Sequence, residues 1–174
     1  MFEQDKRGPI SRRRRFVITG VAAVTAFSMT AIGAFPLLAT PGSGFSPNSV
    51  VLGAFNELNV KADKTGQWDL FLKTKDDTDI GVDRLSVVAG GQSGWHQHAG
   101  ATLITVTSGM ITWTDGVECF KTTYRQGDTF VEPANRPHLV RNETGQSAEF
   151  VAVQIRPHGS MGRIDVLVAP DCPS

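Results

Sequence analysis

The sequence predicts an all-β sandwich or barrel carried behind an N-terminal targeting segment. Three observations predict the barrel. From Phe45 onward, apolar residues come in short runs with little sustained helical periodicity. Turn signals recur between the runs: Asp76-Asp77-Thr78-Asp79, Ser108-Gly109, Asp115-Gly116, Gln126-Gly127-Asp128 and Asn142-Glu143-Thr144-Gly145. The runs favour β-branched residues, as in Thr102-Leu103-Ile104-Thr105-Val106-Thr107. Short strands at such regular spacing belong to sandwiches and barrels.

Taken in order, the chain of 174 residues opens on a basic block, Arg12 to Arg15, that runs into an uncharged stretch from Phe16 to Ala39. This is the layout of an export signal. Arg13-Arg14-Arg15-Phe16-Val17 also resembles a twin-arginine signal, which carries folded proteins across a bacterial membrane. The apolar run is long enough to span a bilayer, so an uncleaved anchor with the domain outside is the alternative. Residues 1–39 are therefore read as signal or anchor, 40–47 as linker, 48–168 as the barrel and 169–174 as a C-terminal tail.

Charge excludes one class of partner. The first 39 residues hold six Lys and Arg against two acids, and the remainder holds 11 basic and 15 acidic residues. A mildly acidic domain without a basic patch is a poor partner for nucleic acid, whose phosphates demand clustered Lys and Arg.

Within the body, Ser49 to Val60 reads as a strand or an irregular arm, Trp68 to Lys75 as a strand, and Ile80 to Val88 as an alternating strand broken by Gly90, Gly91 and Gly94. Met110 to Thr114 and Val117 to Tyr124 flank Asp115-Gly116, the signal of a two-residue hairpin. Thr129 to Val131, His138 to Asn142 and Glu149 to Ile155 complete the series.

The chemistry concentrates in histidines. His96 and His98 sit at i and i+2, so on an extended segment they point the same way, about 6–7 Å apart along the strand. Two such imidazoles can share one metal ion, and His138, forty residues on, can supply a third. His158 reads as a loop residue, and Trp95, Trp113 and Phe130 read as packing.

These residues resemble the cupin family. Gly90, five residues, His96-x-His98, three residues, Thr102, six residues, Gly109 follows its first motif, with Thr where Glu is usual. Gly127, five residues, Pro133-x-Asn135-x-x-His138-x-x-x-Asn142 follows its second, with Asn135 where Gly is common, a mild change because Asn tolerates a left-handed backbone. The resemblance implies a single jelly-roll β-barrel whose lumen holds a divalent transition metal on His96, His98 and His138. It implies iron foremost, and a dioxygenase-type enzyme acting on a small molecule. A non-catalytic small-molecule-binding cupin, with or without metal, is the alternative. Imidazole ligands alone also admit Zn, Ni, Cu or Mn. The family often dimerises by exchanging N-terminal strands, which implies a homodimer.

With Thr102 in place of Glu, three neutral imidazoles would leave a bound ion its full charge and favour an anionic ligand. Glu132 and Glu149 stand outside the motif spacing, and only an unforeseen approach would bring either into the lumen. Thr102 and Arg136 are the weak candidates for contacting substrate, Arg136 because it precedes His138 in a loop and could meet an anion. Cys119 and Cys172, the only cysteines, suggest a disulfide in an exported chain, pinning the C-terminal tail.

Overall fold

The computed structural model describes residues 41–65 and 68–172. The basic block and apolar run, residues 1–39, lie outside them. Among the described residues no helix is long and apolar enough to cross a membrane.

The described chain is all strand and turn. The strands are β1 (Ser43–Phe55), β2 (Asn59–Thr65), β3 (Trp68–Lys73), β4 (Thr78–Gln92), β5 (His96–Gln97), β6 (Ala101–Ser108), β7 (Met110–Asp115), β8 (Lys121–Arg125), β9 (Thr129–Glu132), β10 (His138–Arg141), β11 (Ala148–Pro157) and β12 (Ile164–Asp165). A ten-stranded sheet runs β12-β5-β10-β4-β11-β6-β9, with β1 added on β4 and the β7–β8 hairpin added on β10. Every strand pair is antiparallel. The sheet curls into a nearly closed barrel, and β2 and β3 form a separate hairpin.

The barrel follows from alternation. Along β11, Ala148, Phe150, Ala152 and Gln154 are buried while the intervening residues are partly or fully exposed. Along β6, Thr102, Ile104 and Val106 turn inward in the same way. With Val87, Ile111, Trp113 and Val140 they form one core cluster, flanked by Phe45, Leu85, Tyr124 and Phe130. Period-two burial on paired strands puts all these side chains on one face of the sheet, and curling that face inward removes it from water.

Three expectations change. β4 is not broken at its glycines: it continues to Gln92, with Gly90 at φ +72°. A left-handed residue lets a strand bend without losing its partners, and Gly90 N–H still donates to Asn142 O at 2.9 Å. Asp115-Gly116 does not form a two-residue turn. The connection runs from Gly116 to Phe120, because the Asp115 carboxylate accepts the backbone N–H groups of Val117 and Glu118, each at 2.7 Å. The side chain thereby builds an Asx-type turn in place of the tight hairpin. Residues 43–47, read as linker, are the first residues of β1.

Asn142 ends the second motif and ties the barrel together. It is buried, its amide donates to Val87 O at 3.0 Å and Gln146 O at 2.6 Å, and its Oδ1 accepts from Thr144 N–H and the Thr144 hydroxyl. Both ends of a buried amide are thus satisfied, and the β10–β11 turn is fastened to β4.

Candidate metal centre

His96 lies on β5 and His138 on β10, directly opposite each other in the ladder. His98 follows β5 on the same face, and all three are buried. The ring centroids are 4.3 to 5.1 Å apart. One ligand atom from each lies within 4.8 Å of those of the other two. Trp113 backs the group, its ring stacked on His138 with centroids 6.0 Å apart.

Backbone carbonyls orient all three rings. His96 Nδ1 is 2.9 Å from Gly94 O, His98 Nδ1 is 2.5 Å from Gly162 O, and His138 Nδ1 is 2.9 Å from Arg136 O. A carbonyl accepts only, so each Nδ1 carries the proton and each Nε2 of a neutral ring presents a lone pair. Carbonyls behind the imidazoles of a metal site fix ring and tautomer in this way. Burial holds His96 and His138 below the usual imidazole range, helped for His96 by the charges of His138, Arg163 and His98. For His138, neighbouring His98 adds to burial and the Glu132 carboxylate works against it.

A carboxylate joins the cluster. Glu132 is buried at the end of β9, with Oε2 3.1 Å from His98 Nε2 and Oε1 3.3 Å from His138 Nε2. It pairs directly across the ladder with Thr102 on β6. Residues opposite each other in an antiparallel pair share a face. Glu132 therefore reaches the lumen from the strand beside the one where a Glu was missing. The expectation of a site without a carboxylate is corrected, and Glu149 points outward and is exposed. The sequence named Glu132 as able to approach the lumen but could not place it there, because it lies at no motif spacing from the histidines. Only the β6–β9 register puts it there.

Of the two weak substrate candidates, Arg136 is the one found elsewhere. Thr102 is fully buried, and its hydroxyl has no hydrogen-bond partner. Arg136 turns away from the lumen to pair with Asp115 and with Glu118, the latter at 3.2 Å. Burial alone would raise the Asp115 carboxyl, but Arg136 and the N–H groups of Glu118 and Val117 outweigh it and hold it below the usual carboxylate range. His158 binds Asp79 on the exposed side, Nδ1 to Oδ1 2.7 Å, away from the histidine cluster. Asn135 adopts φ +55°, and its N–H donates to His98 O at 2.8 Å, steadying the ligand segment. Cys119 and Cys172 are joined, with Cα atoms 5.2 Å apart.

Beside the histidines opens a cavity of about 640 Å³. Phe45, Leu52, Leu85, Ile104 and Phe150 give it apolar lining, and His96, His98 and Glu132 line it as well. An apolar cleft with a few convergent polar groups is the usual form of a small-molecule site.

This topology, with two histidines on one segment and a third on an opposing strand, is that of a cupin-type barrel with a candidate metal site. A family model described as a cupin domain matches residues 84–154, which supports membership of the cupin superfamily. Among solved structures it is similar to a polyketide cyclase from Streptomyces resistomycificus, at 13% identity and TM-score 0.51 over 78% of this chain and 80% of that one. It is also similar to a cupin domain from Bordetella pertussis, at 16% identity and TM-score 0.40 over 58% of this chain and 94% of that one. An oxalate oxidase in complex with the substrate analogue glycolate matches at 24% identity and TM-score 0.45, over 50% of this chain and 46% of its own. At these identities the likeness concerns the fold alone. No curated protein matches the chain.

Proposed function

We propose that the barrel holds one divalent transition metal on the Nε2 atoms of His96, His98 and His138, with Glu132 as a fourth ligand, and acts on a small molecule in the adjoining cavity. One observation carries the reading. Three Nε2 lone pairs and a carboxylate converge, all of them acceptors, and His138 Nε2 is buried with no hydrogen-bond partner. Acceptors that face one another at 3.1 to 3.3 Å repel unless a cation lies between them. Imidazole and carboxylate donors suit iron, manganese, nickel, copper and zinc.

An ion there would supply Lewis acidity and open positions for a small-molecule ligand. The chain's own residues do the rest. The carbonyls of Gly94, Gly162 and Arg136 aim the imidazoles, Glu132 brings a negative charge, and the apolar lining excludes water. With Glu132 counted, three neutral imidazoles and one carboxylate reduce a divalent ion's charge by one. Iron(II) and oxidation of a small molecule by O₂ are the chemistry we favour, on the family resemblance. The second reading is a non-catalytic ligand-binding cupin. The 3.1 Å His98–Glu132 contact favours it, because a proton on His98 Nε2 would relieve the same repulsion without metal.

The reading extends to setting. Residues 1–39 direct the domain out of the cytoplasm or anchor it to the membrane, and the Cys119–Cys172 disulfide suits an oxidising compartment. The partner is a small molecule, and a second copy of the chain docks along β1.

Elemental analysis of the untagged protein tests the centre. Near-stoichiometric metal is expected in the wild type and none in His96→Ala/His138→Ala. Glu132→Gln should keep the fold and weaken metal binding by about tenfold or more. Native protein that stays metal-free after anaerobic reconstitution would overturn the metal reading and leave the ligand-binding one. If metal is held, O₂ consumption with candidate thiols and dicarbonyls separates enzyme from binder.

A further inference from the structure

The inward face of β11 begins apolar, with Ala148, Phe150 and Ala152, and ends polar, with Gln154 and Arg156. Phe150, Ala152, Gln154 and Arg156 all line the cavity beside the histidines. The charged groups of that cavity are accounted for except one. Arg163 is committed, its Nε to Asp165 at 2.6 Å and a second nitrogen to Ser93 O at 2.8 Å. Glu132 faces the histidines. Asp83 accepts from the Gln154 amide at 3.1 Å. Among the described residues Arg156 hydrogen-bonds only the neutral Oε1 of Gln154, at 3.2 Å, its Nε is buried with no hydrogen-bond partner, and the Asp79 carboxylate acts on it without a hydrogen bond.

Arg156 is half-buried, and its buried Nε–H is left short of an acceptor, for which the planar fork of a guanidinium suits a carboxylate above other acceptors. The nearby acids do not fill the role. Gln154 bridges Asp83 and Arg156 and holds them apart. Asp79, opposite Arg156 in the β4–β11 ladder, is engaged by His158 and by the Gly159 N–H at 2.9 Å. Gly162 lies between Arg156 and the metal centre. Its carbonyl binds His98, and a methyl group in place of its hydrogen would collide with the Arg156 guanidinium. Arg156 and the histidines are thus neighbours across one glycine.

We infer that the cavity takes a small organic carboxylate, its anionic group held by Arg156 beside the histidines and its apolar body on Phe45, Leu85 and Phe150. This rests on the cavity being the ligand site proposed above, and it relocates the anion contact that the sequence suggested for Arg136.

The test uses the full-length protein, metal-free and metal-loaded, with two matched probe pairs: benzoate against benzamide, and hexanoate against hexanamide. Titration calorimetry is run on the wild type, Arg156→Gln and Arg156→Lys, and metal content is measured in each. In the metal-free wild type at least one carboxylate should bind about tenfold or more tightly than its amide, the expected worth of a charge-assisted contact. Arg156→Gln should abolish that preference, Arg156→Lys should restore part of it, and metal content should not change. Equal binding of acid and amide by the wild type overturns the inference without recourse to any variant, as does an unchanged preference in folded Arg156→Gln. A preference that appears only in metal-loaded protein also overturns it, since the ion and not Arg156 would then hold the anion, and the metal reading would stand. Absence of metal throughout with an intact preference removes the metal reading and keeps this one.

Discussion

Glu132 shows how much a single residue can hide. Its neighbours Val131 and Pro133 are exposed, and nothing in the sequence distinguishes it from a strand-end glutamate. Pairing with Thr102 turns it into the carboxylate that, among the described residues, touches the clustered histidines. At the same scale, His158 and Asp79 form a titrating pair that is independent of the metal centre. Hydrogen bonding to Asp79 raises the His158 imidazole above its usual range, and His158, with the Gly159 N–H, holds Asp79 below its own. The His158 contribution is complete below the free imidazole value, about 6.5, and fades as pH rises through its raised value; that of Asp79 is complete above about 3.9 and fades as pH falls through its lowered one. The melting-temperature gap between wild type and His158→Gln should therefore be widest at about pH 5.5 and shrink toward about pH 9. A gap that does not vary with pH would show that the pair carries no linked stability.

Among the elements, the loop from Gly116 to Phe120 and the C-terminal tail depend on each other. Asp115 shapes the loop, Arg136 neutralises Asp115, and Cys119, at φ +60°, fastens the loop to Cys172. The cysteines are 53 residues apart, and a cross-link of that span restricts the unfolded chain by about 4 kcal/mol. Cys119→Ser/Cys172→Ser should lose about that much in denaturant unfolding with a larger m-value, since the freed unfolded chain exposes more surface, and the candidate metal site, built on other strands, should keep its metal. Loss of metal in the double variant would mean that the tail supports the centre. The short β12 was not foreseen. Two residues carry no periodicity, yet Ile164 and Asp165 pair with Gln97 and His96 and hold Gly162 beside His98.

For the whole molecule, the surface left open at β1 is the feature that asks for a partner. Val50, Val51, Leu52 and Phe55 are 45 to 61% exposed, on a strand paired only to β4. An edge strand apolar on both faces invites pairing with another copy. Light scattering at micromolar concentration should give twice the chain mass, and Val51→Lys should reduce it toward the monomer. A wild type that remains monomeric would set the dimer aside and leave β1 as the cavity's outer wall.

The sequence by itself determined the class of fold and picked out the histidines that cluster, because both are written in local signals. Period-two alternation, recurrent turn residues and an i, i+2 histidine pair need no knowledge of distant residues. The left-handed Asn135 was legible for the same reason, since few residue types accept that conformation. Tertiary structure alone decided what stands around the metal centre. Strand register put Glu132 opposite Thr102, drew Arg136 onto Asp115, and aligned Arg156 with the cavity face of β11. Register is set by the summed burial of whole strands, so a side chain's destination depends on partners twenty or more positions away. The charges that tune a site are therefore the part of it that a linear reading cannot place.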